Sequence, residues 1–468
     1  MSNILRNLKG KTVHMVGIGG ISMSGLCEIL LKLGINVTGS DITNSPNIEH
    51  LRQKNVSVFL KQEPSNITNQ ELVVYTAAMP IDHPELEAAR KKGIPVIDRA
   101  TLLGEIMHMY ENSIAISGTH GKTTTTSMIS SCLIDAGKDP TVHIGGILDS
   151  IGGTTSIGNS SYFVTEACEY KDSFLKFYPH IGVILNIETD HLDYFRDLNH
   201  IRESFSRFTD QISQDGYLIG NADDERVALL LKQTNRKSIS YGLTSPKATW
   251  TARNITFDEN GYAIFNVVHN KKSLIRMRLS VPGLHNVSNS LACFAVCHLL
   301  GVPATSIRDS LRKFTGTHRR FEHKGVADGI RVVDDYAHHP TEIIATLKAA
   351  RSSTRGKILC VFQPHTYSRT YDLLNEFSTA FTMADKLYIT DIYSASREID
   401  TGLVHSSTLV DRINKNINNA VYISSFKDIV DQLIQDSSAG DMIITMGAGD
   451  VDKIGEMFQH HQIGRAHV

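Results

Sequence analysis

The chain has 468 residues and a formal net charge of −2. This near-neutral balance argues against a nucleic-acid or membrane-surface protein, and no apolar run is long enough to span a bilayer. The length predicts roughly three domains of ~150 residues each. Six scattered cysteines and an N-terminus without a signal-peptide segment favour a reducing cytoplasm.

The first pattern in the chain is a strand, a glycine-rich turn and a helix. An apolar strand at 12–18 enters a turn that contains Gly17, Gly19 and Gly20. This order is typical of nucleotide-binding βαβ units. Ser22 stands in place of the third glycine of G-x-G-x-x-G, so the motif alone leaves open a plain tight turn.

A second strand of this pattern, at 35–38, ends at Asp41. Asp41 follows the glycines by about twenty residues, where a carboxylate can meet a ribose hydroxyl. Further strands are predicted at 72–76 and 95–97, and we expect this domain to span residues 1–105.

The most informative stretch lies between an apolar strand and a helical pattern. It is the loop Gly118-Thr119-His120-Gly121-Lys122-Thr123-Thr124. Its backbone N–H groups and the helix N-terminus suit phosphate, with Lys122 reaching the β/γ-phosphates and the Thr123 hydroxyl on Mg²⁺. The loop is shorter than the usual P-loop, and Ile116 stands where that pattern requires glycine.

A second Mg²⁺ ligand set is predicted at the ends of two later strands. Glu166 follows a strand at 162–165, and His191 follows a buried strand at 181–187. Mg²⁺ prefers oxygen ligands, so a histidine ligand is less usual. The sequence leaves open an N-cap or ion-pair role for Glu166 and an ordinary loop position for His191.

The rest of the central domain, expected at 106–315, contains antiparallel strands within 250–279. Asn286 and Asn289 precede a helix predicted at 290–300. Because they are three residues apart, their amides would share one face of the first turn and could hold adenine or phosphate. Helix N-capping is the alternative.

The third α/β pattern defines a domain expected at 316–462. Its predicted strands lie at 331–333, 358–362, 386–390 and 442–445. The last residues, 463–468, look foreign to the rest of the chain, and we expect them to be a non-native tail.

Three polar segments of this domain are candidates for chemistry. Residues 318–322 contain two arginines that could stabilise a transferring phosphoryl group, or form a solvated basic turn. Residues 334–342 are too polar for a core, although they could be a hydrogen-bonded turn before a helix that starts at Pro340. Residues 363–369 offer Arg369 as a substrate contact.

Taken together, these motifs resemble the Mur ligase family. The segments that carry the resemblance are GTHGKTT (118–124), EACEY (166–170), NIETDHLDY (186–194), GLHNVSN (283–289), HRRFE (318–322) and DDYAHHPTE (334–342). GIGGISMSG (17–25) is similar in character to the family's UDP-binding loop. The resemblance implies a three-domain α/β fold: an N-terminal Rossmann-like UDP-binding domain, a central P-loop ATPase-like domain and a C-terminal Rossmann-like domain.

The resemblance also implies an activity. We expect an ATP-dependent amide ligase that joins L-alanine to the lactyl carboxylate of UDP-N-acetylmuramate through an acyl phosphate. ADP and phosphate would be released, in the synthesis of peptidoglycan precursors, with ATP and Mg²⁺ as cofactors. No nucleic acid or membrane insertion is expected, and the protein would be a monomer or homodimer.

The resemblance assigns roles by position. The catalytic residues would be Lys122, Arg320, Asp335 and His338. The ATP site would consist of Gly118, Thr119, His120, Gly121, Lys122, Thr123, Thr124, Asn286, Asn289 and Arg320. The UDP-linked substrate would contact Gly17, Gly19, Gly20, Ser22 and Asp41. The amino-acid side would be formed by Tyr336, His338 and Arg369, and the metal ligands would be Thr123, Glu166 and His191.

Two positions qualify this assignment. Related Mur ligases use a carbamylated lysine at the second metal, whereas His191 resembles the ligand of the alanine-adding type. Thr366 stands where some relatives have arginine, so the substrate contact of that loop is open.

Three alternative functions share some of these motifs. A recycling ligase that adds a ready-made tripeptide would share most motifs, although Tyr336 and Glu342 favour the alanine enzyme. A nucleotide-gated switch would not need segment 334–342. A plain P-loop kinase is disfavoured by the short loop and the large third domain.

Overall fold

The computed structural model describes residues 4–76, 79–395, 398–400 and 402–465. The end of the predicted non-native tail, 466–468, lies outside these residues. The chain divides into two compact units, the first of residues 1–187, 201–240 and 295–302, the second of residues 188–200, 241–294 and 303–468. All six cysteines are free thiols. None of the helices in the described part of the chain has the length and apolarity that a membrane crossing requires.

Among the described residues, the first unit contains twelve strands and seven α-helices, although α6 begins at residues 198–200 of the second unit. The strands are β1 (Thr12–Val16), β2 (Asn36–Ser40), β3 (Ser57–Phe59), β4 (Leu72–Tyr75), β5 (Val96–Asp98), β6 (Asn112–Ser117), β7 (Thr141–Leu148), β8 (Gly153–Ser156), β9 (Tyr162–Glu166), β10 (Ile181–Ile184), β11 (Tyr217–Asn221) and β12 (Lys237–Tyr241). The helices are α1 (Ile21–Lys32), α2 (Pro46–Gln53), α3 (Pro84–Lys91), α4 (Arg99–Met107), α5 (Lys122–Asp135), α6 (Leu198–Gln211) and α7 (Glu225–Gln233).

A five-stranded parallel sheet forms the N-terminal part of this unit. Its strand order, β3-β2-β1-β4-β5, is that of a doubly wound nucleotide-binding fold. Val16 of β1 pairs with Ser40 of β2, so both strands end at the same level. The glycine turn after β1 and Asp41 after β2 therefore leave from one edge of the sheet.

A second sheet of this unit follows the order β12-β11-β10-β6-β9-β7-β8. The pairs from β11 to β7 are parallel, and β7 pairs with β8 antiparallel. Ile116 of β6 pairs with Glu166 of β9, so the loop after β6 and the Glu166 carboxylate share the carboxyl edge. Ligands of open α/β sheets bind at this edge.

Among the described residues, the second unit contains the remaining nine strands and eight α-helices, although the last turn of α8, from residue 295, belongs to the first unit. The strands are β13 (Trp250–Phe257), β14 (Tyr262–His269), β15 (Lys272–Pro282), β16 (Glu322–Ala327), β17 (Ile330–Asp335), β18 (Ile358–Phe362), β19 (Lys386–Ile389), β20 (Ala420–Tyr422) and β21 (Met442–Met446). The helices are α8 (Leu284–Leu299), α9 (Ala304–Lys313), α10 (Pro340–Ser353), α11 (Tyr367–Asp372), α12 (Leu374–Ala380), α13 (Ser406–Asn414), α14 (Phe426–Asp436) and α15 (Asp452–Arg465).

Strands β13, β14 and β15 pair antiparallel, as the alternation of residues 250–279 predicted. The predicted helix start at residue 290 is wrong, because α8 begins at Leu284. Gly283 adopts a φ of +94°, which ends β15 and turns the chain into the helix. Asn286 and Asn289 therefore lie inside α8.

A six-stranded sheet with the order β16-β17-β21-β18-β19-β20 forms the C-terminal part of this unit. All its pairs are parallel except the edge pair β16–β17. Met446 of β21 pairs with both Asp335 and Phe362. The polar segments that follow β17, β18 and β21 therefore start at the same edge, over a core of buried aliphatic and aromatic side chains.

Candidate active site

The loop between β6 and α5 has the backbone of a phosphate-binding turn. Gly118 has a φ of +137° and Gly121, the N-cap of α5, a φ of +84°. Asn186 holds the loop: its Oδ1 accepts from the His120 N–H at 2.8 Å and its Nδ2 donates to the His120 carbonyl at 3.0 Å. The Thr119 N–H donates to the Asn186 carbonyl at 3.2 Å. Asn186 was not singled out from the sequence, although it follows a strand whose end lies at the ligand edge.

Lys122 lies within this loop rather than extending from it. Its ammonium donates to the carbonyls of Gly118 at 2.5 Å and Thr119 at 3.1 Å, and to Oε2 of Glu169 at 3.0 Å. Burial opposes the charge, but the carboxylate of Glu169 raises the pKa of Lys122 above its ordinary value. The side chain is therefore a fixed cation beside the phosphate-binding backbone. Glu169 is a partner that the sequence analysis missed.

Thr123 and Glu166, two of the predicted metal ligands, are in direct contact. The Thr123 hydroxyl donates to Oε2 of Glu166 at 3.0 Å, and the Gly145 N–H donates to Oε1 at 2.7 Å. A hydroxyl and a carboxylate are oxygen donors of the kind that Mg²⁺ selects, so this pair fits the predicted ion. His191 belongs to the second unit, and its place in the ligand set stays a prediction.

The turn after β1 is held by Asp41. Oδ2 of Asp41 accepts from the Gly19 N–H at 2.9 Å, and Oδ1 accepts from the Ile42 N–H at 2.8 Å. Gly17 has a φ of +78°, and a Cβ there would lie 2.8 Å from Thr76 Cγ2. The structure thus brings Gly17, Gly19 and Asp41 together, with Asp41 ordering the turn. Its contact with a ribose stays a prediction.

Ser22, in the first turn of α1, joins a polar cluster. Its Oγ lies 2.9 Å from Nε2 of His143 and accepts from Nη1 of Arg99 at 3.0 Å. Nδ1 of His143 lies 3.0 Å from the hydroxyl of Thr155. Gly20, by contrast, is the N-cap of α1 and provides backbone alone. Neither His143 nor Arg99 was among the residues predicted from the sequence.

Asn286 and Asn289 contact each other on α8. Nδ2 of Asn289 donates to Oδ1 of Asn286 at 3.1 Å, and Nδ2 of Asn286 donates to the Pro282 carbonyl at 2.7 Å. Both side chains are buried. The shared helix face predicted from their spacing is confirmed, and their role toward ATP stays a prediction.

The two arginines of segment 318–322 have different partners. Arg319 donates to Oδ2 of Asp334 at 3.0 Å and to the carbonyls of Gly447 and Gly449 at 2.9 and 2.7 Å, so it ties the turn after β21 to β17. Arg320 lies over the ring of Tyr336 at 5.1 Å, and its Nη1 is 3.8 Å from the Glu342 carboxylate. Arg320 is thus the less constrained guanidinium.

Asp335 is buried at the end of β17. Its Oδ2 accepts from the Phe321 N–H at 2.8 Å and its Oδ1 from the Ala337 N–H at 2.7 Å. Burial raises the pKa of Asp335 to about 7, against the opposing charge of Arg320. Asp335 is therefore a carboxyl group that exchanges a proton near neutral pH.

His338 is a neutral imidazole close to the same strand end. Burial lowers its pKa to about 3, although Glu342 opposes this shift. Nδ1 lies 2.9 Å from the Tyr336 carbonyl, which makes Nδ1 the protonated nitrogen and Nε2 the one with a lone pair. His339 next to it is the N-cap of α10, which begins at Pro340 as predicted.

Segment 188–191 docks onto this edge within the second unit. Arg369 donates through Nε and Nη2 to Oδ1 of Asp190 at 3.1 and 3.0 Å, and the Thr341 hydroxyl donates to Glu188 at 2.7 Å. Burial opposes the charge of Asp190, but His191 and Arg369 hold its pKa well below the usual range. The sequence singled out Arg369 but not this pairing.

Thr366 stands where some relatives have arginine, and its side chain is hydrogen-bonded to the Glu398 carboxylate. Its hydroxyl donates to Oε1 of Glu398 at 2.6 Å, and the Ser368 N–H donates to Oε2 at 3.0 Å. This loop therefore carries an acceptor beside Thr366.

Comparison with known proteins agrees with this architecture. In chain order, three segments match descriptions of one family: "Mur ligase family, catalytic domain" at 12–111, "Mur ligase middle domain" at 116–297 and "Mur ligase, glutamate ligase domain" at 319–449. The three-domain α/β fold is confirmed. The domain boundaries stay predictions.

Two relatives carry the name UDP-N-acetylmuramate–L-alanine ligase. That of Acetivibrio thermocellus is 54% identical over 97% of both chains. That of Caldanaerobacter subterraneus is 50% identical over 96% of this chain and 97% of its own.

Two crystal structures are similar over nearly the whole chain. One, of a UDP-N-acetylmuramate–alanine ligase from Thermotoga maritima, has a TM-score of 0.80 and 28% identity, and covers 97% of this chain and 100% of its own. A murein peptide ligase from Psychrobacter arcticus has a TM-score of 0.69 and 27% identity, and covers 96% and 98%. Three consecutive domain matches and a relative that is 54% identical along nearly its whole length lead to one conclusion: the chain belongs to the Mur ligase family.

Proposed function

We propose that this Mur ligase joins L-alanine to the lactyl carboxylate of UDP-N-acetylmuramate while ATP is converted to ADP and phosphate. The product is a precursor of peptidoglycan. The observation that carries the proposal is the 54% identity, over 97% of both chains, to a relative named for this reaction. The geometry of the Lys122 loop supports it, because that loop suits a nucleotide phosphate.

In this proposal the ATP phosphates bind the loop after β6. Lys122 exchanges its contact with Glu169 for the phosphates, and the N-terminus of α5 adds its backbone N–H groups. Thr123 and Glu166 would hold Mg²⁺, with His191 as a further ligand. The ion would offset the negative charge that accumulates on the transferring phosphoryl group.

The first step is attack of the lactyl carboxylate on the γ-phosphate, which forms an acyl phosphate and releases ADP. Lys122 and Arg320 stabilise the charge on the phosphoryl group. In the second step the neutral amine of L-alanine attacks the acyl carbon, and phosphate leaves as the amide forms.

The amine must lose a proton before it can attack. Asp335, whose pKa is raised to about 7 by burial, suits the transfer of that proton near neutral pH. Nε2 of His338 offers a lone pair that orients the ammonium, and Tyr336 and Arg369 complete the amino-acid side.

Because the reaction needs ATP, we place the protein in the cytoplasm. We also predict that it is a monomer or a homodimer.

The test is ADP release by purified protein with UDP-N-acetylmuramate, Mg²⁺ and ATP, with and without L-alanine. We expect alanine-dependent ADP release and the matching amide product. Lys122→Ala should abolish both. Lys138→Ala, which removes a lysine just beyond α5 that lies over the Tyr162 ring, is the matched control and should be active.

The murein peptide ligase similarity makes a free tripeptide the necessary competitor. Turnover with the tripeptide and not with L-alanine would move the assignment to a recycling ligase. Folded protein that responds to neither amine would refute the ligase proposal.

A further inference from the structure

Arg99 is a basic side chain at the UDP-side loop that no motif points to. It is the first residue of α4, and its Nη1 donates to Oγ of Ser22 at 3.0 Å. Burial lowers the pKa of Arg99, while Cys168 and Asp98 oppose that shift. The guanidinium thus contacts Ser22, at the start of α1, and Cys168, two residues after Glu166, is near enough to influence its pKa.

The charge of Arg99 is not balanced by a paired carboxylate. Asp98, its neighbour in sequence, forms an ion pair with Lys176 and caps α4 by accepting from the Thr101 N–H at 3.0 Å. Among the residues that the structure describes, no carboxylate lies within 4.0 Å of the Arg99 nitrogens. The Arg99 side chain is partly buried. A partly desolvated guanidinium without a paired anion can accept one from outside the chain, so this position favours an anionic ligand.

The neighbours of Arg99 are arranged to orient it without neutralising it. Ser22 accepts from Arg99, so its own proton is available to Nε2 of His143, which leaves Nδ1 of His143 to donate to Thr155. Burial lowers the pKa of His143 to about 3, and the charge of Arg99 acts in the same direction. Arg99 is therefore the charged member of this cluster, because Ser22, Thr155 and the imidazole of His143 are uncharged.

We propose that Arg99 binds an oxyanion of the UDP-linked substrate, either its diphosphate or its lactyl carboxylate. This inference rests on the proposed function for the identity of the substrate. The diphosphate is the candidate on the Ser22 side, because glycine turns at helix N-termini bind phosphates. The carboxylate is the candidate on the Cys168 side, because Glu166 belongs to the proposed metal site. A guanidinium can pair with either through two parallel hydrogen bonds.

The experiment is equilibrium binding of UDP-N-acetylmuramate to the full chain, by calorimetry and without ATP. Arg99→Met should weaken binding about 10-fold to 100-fold, the equivalent of a lost charge-assisted hydrogen bond. Arg99→Lys should weaken it less, because the charge remains. Arg90→Met is the matched control: Arg90 lies on α3 of the same domain and donates to the Ile81 carbonyl, so binding should not change.

Binding of UDP alone separates the two anions. Equal weakening of UDP and UDP-N-acetylmuramate in Arg99→Met assigns the diphosphate, and weakening of UDP-N-acetylmuramate alone assigns the carboxylate. Wild-type affinity for both ligands in a folded Arg99→Met protein would overturn the proposal. If that variant does not fold, Arg99→Lys and Ser22→Ala take its place, and unchanged affinity in both has the same meaning.

This result is independent of the proposed chemistry. Binding needs neither ATP nor L-alanine, so a wild type that binds the ligand but releases no ADP would refute the ligase proposal alone. A normal ligase whose Arg99 variants bind normally would refute this inference alone.

Discussion

The ion pair between Lys122 and Glu169 allows a sharp prediction for Glu169→Gln. The change keeps the shape of the side chain and one oxygen acceptor but removes the negative charge. The Lys122 and Glu169 side chains are 16% and 3% exposed, so water screens the pair little. The variant should be less stable than the wild type when no nucleotide is bound.

The magnitude follows from the partners that remain. Breaking a buried ion pair costs about 3–5 kcal/mol, and a hydrogen bond to a charged group is worth about 1.5–3 kcal/mol. Lys122 keeps the carbonyls of Gly118 and Thr119, so we expect the lower range, about 2 kcal/mol. For a domain of this size that corresponds to a fall in Tm of roughly 4–8 °C.

The assay is thermal unfolding with and without saturating ATP and Mg²⁺. In the wild type, phosphate must displace Glu169 from Lys122, whereas in the variant it meets no competing carboxylate. ATP should therefore raise the Tm of Glu169→Gln by more than it raises that of the wild type. Glu87→Gln, which removes an exposed pair with Lys91, is the control and should change stability by under about 0.5 kcal/mol. An unchanged Tm together with an unchanged ATP response would refute this account of Lys122.

Two further predictions concern the buried carboxyl group and a close backbone contact. The pKa of Asp335 is raised to about 7, so its stabilising contribution is present at low pH and is lost as pH rises toward that value. The Tm of Asp335→Asn relative to the wild type should therefore rise between about pH 5 and pH 7 and level off above; no slope would contradict the buried acid. In Gly25→Ala, the new Cβ would lie 2.1 Å from the Thr155 hydroxyl, so we expect a loss of about 1–3 kcal/mol in urea unfolding. Thr155→Ala should restore part of it, while Gly153→Ala, with nothing within 4 Å of its Cβ, should be neutral; equal losses in both alanine variants would contradict the steric reading.

Buried parallel strands were the part of the fold that the sequence predicted best. The strand at 358–362 is β18 to the residue, and all five of its positions are buried. In an α/β pattern, a short continuous apolar run between turn residues is typical of a parallel strand buried on both faces. Short or half-exposed strands such as β3, β16 and β20 have no such run, and β7 contains two adjacent glycines, which weaken a strand pattern.

The misplaced start of α8 has a local cause. Residues 285–290 include two asparagines and two serines, which favour caps and turns over helix interiors. The structure gives both asparagine amides hydrogen bonds within the helix and to Pro282, so the competing turn does not form.

The candidate site was predicted as a set of residues but not as a set of contacts. The Thr123–Glu166 pair follows from two adjacent strand ends, which the sequence indicates. The pairs Lys122–Glu169, Ser22–His143 and Arg369–Asp190 join residues 47, 121 and 179 positions apart. Such contacts are determined by tertiary packing, so local sequence patterns do not predict them.

The way in which the chain alternates between its two units has a consequence for folding during translation. The polypeptide passes from one unit to the other at five points, after residues 187, 200, 240, 294 and 302. The first unit includes residues 295–302, so its contacts cannot be complete until translation has passed them. A ribosome-bound chain that already carries the whole Lys122 loop would still lack a segment of the unit that holds it. Early release or truncation before this point should therefore yield aggregation-prone fragments rather than a nucleotide-binding half.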